Sequence, residues 1–376
     1  MKLAYFVHDL GDAAVARRTE MLQKGGARVT VLGFRRTESA PESVAGATAV
    51  DLGRSYDARL AHRALAVARE TVRAGRLRDA LAGAEVVVAR NLEMLTVAER
   101  ARRLAAPAAA LAYECLDIHR AMLSTGAAGR LLRAHERRLL QQASLLIVSS
   151  PAFLEAYFDR VQHSATPSLL VENKVLVEDA DALPRPAAPA AASGPPWRIG
   201  WFGVIRCRRS LEILAELVRS RPDLAEVVIR GRPARHEFDD FDRTVAETPG
   251  LSFQGAYAPA DLPRIYGEVH FTWAIDYFEA GQNSEWLLPN RLYEGGLHGA
   301  PPIALASVQT GRWLAAHGAG LLLQDPETEL AGALGGMTPE RYSEFFAATA
   351  CIPVRDLAAD AQDCRGLVER LAQARP

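Results

Sequence analysis

The chain has 376 residues and carries 44 Lys and Arg against 45 Asp and Glu, a net charge of −1, with 49% hydrophobic and 24% charged residues. That is the make-up of a globular protein large enough for two cores, with no bulk charge to attract nucleic acid. Cys115, Cys207, Cys351 and Cys364 are scattered without zinc or C-x-x-C spacing, the opening MKLAYFVHDLGD breaks too early for a signal peptide, and no window approaches the roughly 18 apolar residues of a membrane span, so a cytoplasmic protein with reduced thiols is expected.

In chain order, Leu3–Val7 is predicted as a strand closed by His8-Asp9-Leu10-Gly11-Asp12. Ala13–Lys24 has helical spacing, with Val15, Met21 and Leu22 on one face, and Gly25-Gly26 stops it. Val29–Leu32 is the next strand. Strand, helix, strand is a βαβ unit and implies a parallel sheet. Glu85–Ala89, Ala109–Tyr113 and Leu145–Val148 read as further buried strands. Asp9, Gly11 and Asp12 follow the first strand as a ligand-facing set, although a lone Gly11 is no dinucleotide fingerprint. After the strand ending at Tyr113 come Glu114, Asp117 and His119; alternate residues of an extended segment share a side, so Asp117 and His119 face one way. A structural histidine is the alternative reading there.

Ala180–Pro196 is rich in Ala and Pro and reads as a linker. A second βα series follows. Trp197–Phe202, Val227–Arg230, Ser252–Gln254, His270–Ala274 and Pro302–Leu305 are strand candidates, Ser210–Arg219 is a helix, and Pro339–Arg375 is mainly helical. Two α/β halves joined by a linker predict a cleft between them, with ligands beyond the carboxyl ends of the strands. Gly203 through Arg209 sits at such an end. A glycine permits close backbone approach, and Arg206, Arg208 and Arg209 ahead of a helix suit an anion; a solvated basic loop is the alternative. Tyr257, after Gln254-Gly255, suits stacking on a base or packing at an interface.

Asn283–Gly296, N-S-E-W-L-L-P-N-R-L-Y-E-G-G, is the densest stretch. Asn283 and Ser284 lie in a loop that runs into Pro289, a residue tolerated in the first helical turn. Free amides at that helix start, near Asn290, suit a phosphate, with Arg291 as an added cationic fork. Glu294, one turn on, suits the hydroxyl pair of a ribose. An ordinary helix start with a surface Arg and Glu is the alternative.

These segments resemble the family 4 glycosyltransferases of the two-Rossmann-domain (GT-B) architecture, with the flavour of bacterial exopolysaccharide enzymes. W-F-G-V-I-R-C-R-R-S-L-E-I-L resembles the family's Gly-Arg…Lys segment, P-N-R-L-Y-E-G-G followed by P-P-I-A-L-A its ribose-binding helix, and G-A-G-L-L-L-Q-D-P the stretch beyond. Y-E-C-L-D-I-H, L-L-I-V-S-S-P-A-F-L and V-E-N-K-V resemble first-domain landmarks. The resemblance implies two Rossmann-like domains, residues 1–180 on the acceptor side and 197–350 for the nucleotide sugar, with 181–196 as linker and 351–376 as a helical tail that packs back on the first domain. Glu294 matches the ribose carboxylate, Arg209 the residue normally Lys, Arg206 stands in for the Arg with its register shifted by two, and His119 matches the histidine facing the donor sugar. The family's first acid falls at Trp286, with Glu285 and Glu279 nearby but out of register, and D-L-G-D replaces its Gly-Gly loop.

The implied activity is retaining transfer of a sugar from a nucleotide sugar, UDP being the commonest, to a glycan or lipid-diphosphate-linked acceptor. No cofactor or metal is implied, and no D-x-D motif stands beside the diphosphate loops. Arg206 and Arg209 would stabilise the leaving diphosphate. The Arg-dense region Arg59–Arg138 suits an anionic membrane surface, with a solvated helix face as the alternative. A nucleotide-sugar epimerase and a non-catalytic nucleotide-sugar-binding protein are the rival functions.

Overall fold

The computed structural model describes residues 1–55, 60–186 and 194–374. Arg59 and Arg375 therefore lie outside the described residues. The chain forms two compact units, Met1–Glu172 with Asp360–Pro376, and Asn173–Ala359.

Unit 1 holds an eight-stranded sheet. Its strands are β1 (Lys2–Val7), β2 (Arg28–Arg35), β3 (Ser43–Val44), β4 (Ala47–Arg54), β5 (Val86–Arg90), β6 (Ala110–Cys115), β7 (Leu145–Val148) and β8 (Ser168–Leu170). The order is β3-β4-β2-β1-β5-β6-β7-β8, parallel throughout except the β3–β4 pair. Strands such as β5 (V-V-V-A-R) are buried along their whole length, as a sheet covered on both faces requires. The helix Ala13–Lys24 is capped by Asp12, whose carboxylate accepts the Ala14 N–H at 2.8 Å.

The last helix, Ala361–Gln373, returns to unit 1, as the sequence reading expects. It starts from a reciprocal cap between Asp360 and Asp363 and buries Leu367, Val368 and Leu371 in a core shared with Leu3, Tyr5 and Val29. Gly25 permits the crossing: a Cβ there would collide with the Cys364 carbonyl.

Unit 2 adds β9 (Val175–Leu176), β10 (Trp197–Ile205), β11 (Ala225–Pro233), β12 (Leu251–Phe253), β13 (Phe271–Trp273), β14 (Pro302–Leu305), β15 (Leu321–Leu323) and β16 (Ala358–Ala359). Six of these form a parallel sheet in the order β12-β11-β10-β13-β14-β15, and β9 pairs with β16. The division between the units differs from the sequence-based one. Residues 173–186 pack within unit 2 instead of linking: Ala180 joins a core with Leu292 and Leu357, Asp181 pairs with Arg355, and Arg185 donates to the Thr349 carbonyl at 2.8 Å. The Ala/Pro composition thus marks extended chain held by its neighbours, and residues 187–193 of the expected linker lie outside the described residues. Residues 351–359, expected in the tail, also belong to unit 2, because β16 pairs with β9 there. No helix among the described residues is long and apolar enough to cross a membrane.

Candidate functional site

In unit 2 the strand order reverses between β10 and β13, the point where ligands of open parallel sheets collect. β10 reaches Ile205, three residues past the predicted end, because its ladder with β11 continues through Gly203–Gly231 to Ile205–Pro233. Gly203 has φ +106° and Gly231 φ +129°. A Cβ on Gly231 would collide with the Gly203 carbonyl, so this pair lets the two strands close at their ends.

The cations after β10 are sorted by their partners. Arg206 lies 3.4 Å from the Asp276 carboxylate and 4.6 Å over the Phe278 ring. Arg209, in the first turn of the helix Arg208–Ser220, lies 2.7 Å from Glu327 and 4.2 Å over the Tyr277 ring. Both guanidiniums therefore rest on the segment 276–278 that follows β13, while Arg208 pairs with Asp239 at 2.6 Å. The Cys207 sulfur accepts N–H groups from Ser210 and Tyr277, at 3.4 and 3.3 Å, and ties the two strand ends together. The hydrogen bond that Arg209 donates to Glu327 raises the Arg209 pKa. Burial pushes the Tyr277 hydroxyl up to about 12, against the pull of Arg209.

Glu294 is half-buried in the helix Asn290–Leu297. One carboxylate oxygen accepts the Tyr266 hydroxyl at 2.9 Å. Burial first, and the Glu294 charge second, raise the pKa of both Tyr266 and Tyr257. Both tyrosines pack edgewise on Phe202, immediately before Gly203. Glu294 thus belongs to the same strand end as the cations. Tyr257 is half-buried and engaged with Phe202, which favours packing over a free stacking platform.

Two expectations need correction. Arg291 is 8% exposed and donates to the Ile275 carbonyl at 3.1 Å, so its fork braces the end of β13 and faces no solvent-side phosphate. Asn283 and Ser284 are buried in a short helix, Asn283–Trp286, instead of an open loop; the Ser284 hydroxyl accepts the Glu279 N–H at 2.9 Å. D-x-D spacings occur at Asp179–Asp181 and Asp240–Asp242: Asp181 and Asp242 pair with Arg355 and Arg235, Asp240 caps the helix Phe241–Ala246, and Asp179 accepts the Asp181 and Ala182 N–H groups. Asn290 is exposed at the helix start after Pro289, which supplies no side-chain cap. Trp286 is half-buried, and Glu285 is exposed.

In unit 1, β6 continues through Cys115, so Glu114 lies inside the strand and not beyond its end. It is fully buried and receives Arg18 at 2.6 Å, Arg90 at 2.9 Å and the Tyr5 hydroxyl at 2.5 Å. Burial alone would raise this carboxyl; Arg90 and Arg18 outweigh it and hold the pKa at about 2. Asp117 and His119 stand past the strand and are exposed. The His119 Nδ1 accepts the Ala121 N–H at 3.1 Å, which leaves the proton of the neutral ring on Nε2. Burial lowers the His119 pKa, with Asp117 opposing and Arg63 assisting, so the ring is neutral at pH 7. Asp9 accepts the Gly11 N–H at 3.0 Å and pairs with Arg36. Sequence reasoning missed Tyr266, Glu327 and the partners of Glu114. Glu327 directly follows the Q-D-P noted in the sequence; the others have no local signal.

Each unit is a Rossmann-like sheet with its own switch point, and together they give the two-unit GT-B architecture of glycosyltransferases. Sucrose-phosphate synthase of Thermosynechococcus elongatus matches with TM-score 0.75 and 15% identity over 99% of this chain and 98% of its own. HepE of Anabaena, solved with UDP-glucose, matches with TM-score 0.70 and 14% identity over the whole of both chains. WaaG, a glycosyltransferase involved in lipopolysaccharide biosynthesis, matches with TM-score 0.57 and 13% identity over 98% of this chain and 95% of its own. No family model matches the sequence. The chain is 48% identical to the succinoglycan biosynthesis protein ExoL of Rhizobium meliloti (strain 1021) over 376 residues, 99% of this chain and 93% of ExoL. It belongs to the ExoL family.

Proposed function

We propose that this protein, a glycosyltransferase of exopolysaccharide synthesis, takes a hexosyl group from a UDP-sugar and passes it to a glycan or lipid-diphosphate-linked acceptor with retention of configuration. The observation that carries the donor assignment is the grouping, at one switch point, of two aromatic-backed guanidiniums with a tyrosine-held carboxylate. Arg206 and Arg209 bind the diphosphate and exchange Asp276 and Glu327 for its oxygens. Their fixed charge stabilises the leaving group as the glycosidic bond breaks. Glu294 takes the ribose hydroxyls, and Gly203 lets the diphosphate approach the backbone. His119, neutral and with its ring proton on Nε2, serves the sugar side together with Asp117.

The acceptor is assigned to unit 1. Arg130, Arg133 and Arg137 donate to main-chain carbonyls rather than to carboxylates, and Leu131 beside them is 71% exposed. This supports contact of the helix Ala127–Leu140 with an anionic membrane surface.

A thermal-shift screen of nucleotides and nucleotide sugars tests the donor reading, since ligands of the folded form raise its melting point. UDP and one UDP-sugar should stabilise the protein; no shift with any nucleotide overturns the reading. Vesicle sedimentation at low and high salt tests the membrane contact.

A further inference from the structure

The strand order of unit 1 also reverses, between β1 and β5, so this sheet has a switch point of its own. The last ladder pair there is Phe6 with Ala89. Two residues further, each strand delivers a polar side chain: His8 from β1 and Asn91 from β5. Both leave hydrogen-bonding capacity unused, because His8 Nδ1 and Asn91 Oδ1 are buried without a partner. Buried polar atoms are nearly always paired in folded proteins, so two orphans at one strand end call for a ligand.

Both residues are held in place. The His8 Nε2 lies 3.2 Å from one Asp12 oxygen, and the other oxygen is fixed by the Ala14 N–H at 2.8 Å. Burial works against ionisation of Asp12, but the hydrogen bonds from His8 and from the Ala14 N–H hold its carboxyl well below the usual range. With the proton of a neutral imidazole turned to that carboxylate, Nδ1 is an acceptor. Asn91 has φ +66°, a left-handed conformation that few side-chain-bearing residues adopt and that marks functional positions when the surroundings enforce it. Here the enforcing residue is Arg90, bound to Glu114 at 2.9 Å and to the Ala14 carbonyl at 3.3 Å. The β5 end is thereby fixed to the start of the same helix that Asp12 caps.

We infer that His8 and Asn91 form a hydroxyl-binding site for the sugar that receives the transferred group, with Asp12 as the positioning residue. The site rests on the glycosyltransferase reading above. His8 Nδ1 and Asn91 Oδ1 each accept from one hydroxyl of the acceptor sugar. Two acceptors select a ligand that donates, such as a sugar diol, and give no match to a phosphate, which only accepts. The D-L-G-D segment thus fills its place after the first strand with a site of different chemistry from the cationic strand end of unit 2.

The test is calorimetry on the full chain with UDP present, using octyl β-D-glucoside and octyl β-D-galactoside as probes, beside separate UDP titrations. Asn91→Gly removes the side chain at a φ that glycine prefers, so the fold is kept. His8→Ala removes the second acceptor. Asp12→Asn retains a capping oxygen and turns an amide N–H toward Nε2, which moves the ring proton to Nδ1 and makes it a donor. Asn91→Gly and His8→Ala should each weaken glycoside binding by about tenfold. Asp12→Asn should weaken it too, with UDP affinity and melting temperature unchanged in all three. Glycoside binding equal to wild type in Asn91→Gly and His8→Ala overturns the site, as does a wild type that binds neither glycoside. Loss of UDP affinity in both variants assigns the residues to the donor and overturns it as well. A wild type that binds glycoside by this site but no nucleotide keeps the site and removes the glycosyltransfer reading.

Discussion

Replacing Glu294 tests the donor site most directly. Its carboxylate has about four lone-pair positions, one of which takes the Tyr266 hydroxyl, and the donor reading adds a hydrogen bond from each of two ribose hydroxyls. Hydrogen bonds to a charged group contribute about 1.5–3 kcal/mol each. Glu294→Ala should therefore cost about 3–6 kcal/mol of nucleotide binding, roughly a hundredfold to ten-thousandfold in Kd. It also strands the buried Tyr266 hydroxyl, worth about 1–3 kcal/mol of stability. Glu294→Gln separates the two effects, since its amide oxygen still accepts from Tyr266 while the negative charge is gone. Calorimetric titration with UDP and with 2′-deoxy-UDP gives the measurement. Wild type should discriminate between the two nucleotides, Glu294→Gln should bind UDP more weakly at near-normal melting temperature, and Glu294→Ala should lose the discrimination. Equal UDP affinity in wild type and Glu294→Ala would show that the carboxylate does not meet the ribose.

Arg209→Ala should lower turnover by about 2–4 kcal/mol of barrier, as expected for loss of a leaving-group stabiliser; near-normal kcat in a steady-state assay removes that role. His119→Ala should impair transfer while UDP affinity stays within a few-fold, and a variant that no longer binds UDP makes the histidine structural. Glu114→Gln leaves Arg18 and Arg90 buried without their counter-charge, at a cost of about 3–5 kcal/mol. Because the folded carboxyl titrates at about 2, below its ordinary 4.5, its contribution is complete above the unfolded value and is lost as pH falls toward 2. The difference in denaturant midpoint between Glu114→Gln and wild type should thus be full at pH 7 and shrink below pH 4; a gap independent of pH argues against the ion cluster. Gly231→Ala should be destabilised and lose UDP binding together, because its Cβ meets the Gly203 carbonyl at a positive φ; a fully folded, UDP-binding variant contradicts that geometry.

Local pattern was enough for the framework. Buried runs such as Leu3–Val7 and Leu145–Val148, and the capped, glycine-stopped helix Ala13–Lys24, are written in hydrophobic period and end signals that act over a few residues. The cationic segment after β10 and Glu294 were legible for the same reason: strand ends can be read from sequence, and ligands gather at strand ends. Short elements such as β8, β9 and β15 were missed, being three residues or fewer with no period to detect. Partner choice was also invisible. Arg206, Arg208 and Arg209 look equivalent along the chain, and only the position of β13 beside β10 gives two of them the aromatic segment 276–278 and sends the third to Asp239. The same holds for Glu114, clamped by Arg18 and Arg90 from 96 and 24 residues away, and for Arg291, whose charge is turned inward to a carbonyl. Sequence fixes what each residue is able to bind; which group it meets depends on strand order, which is set by contacts across the whole sheet.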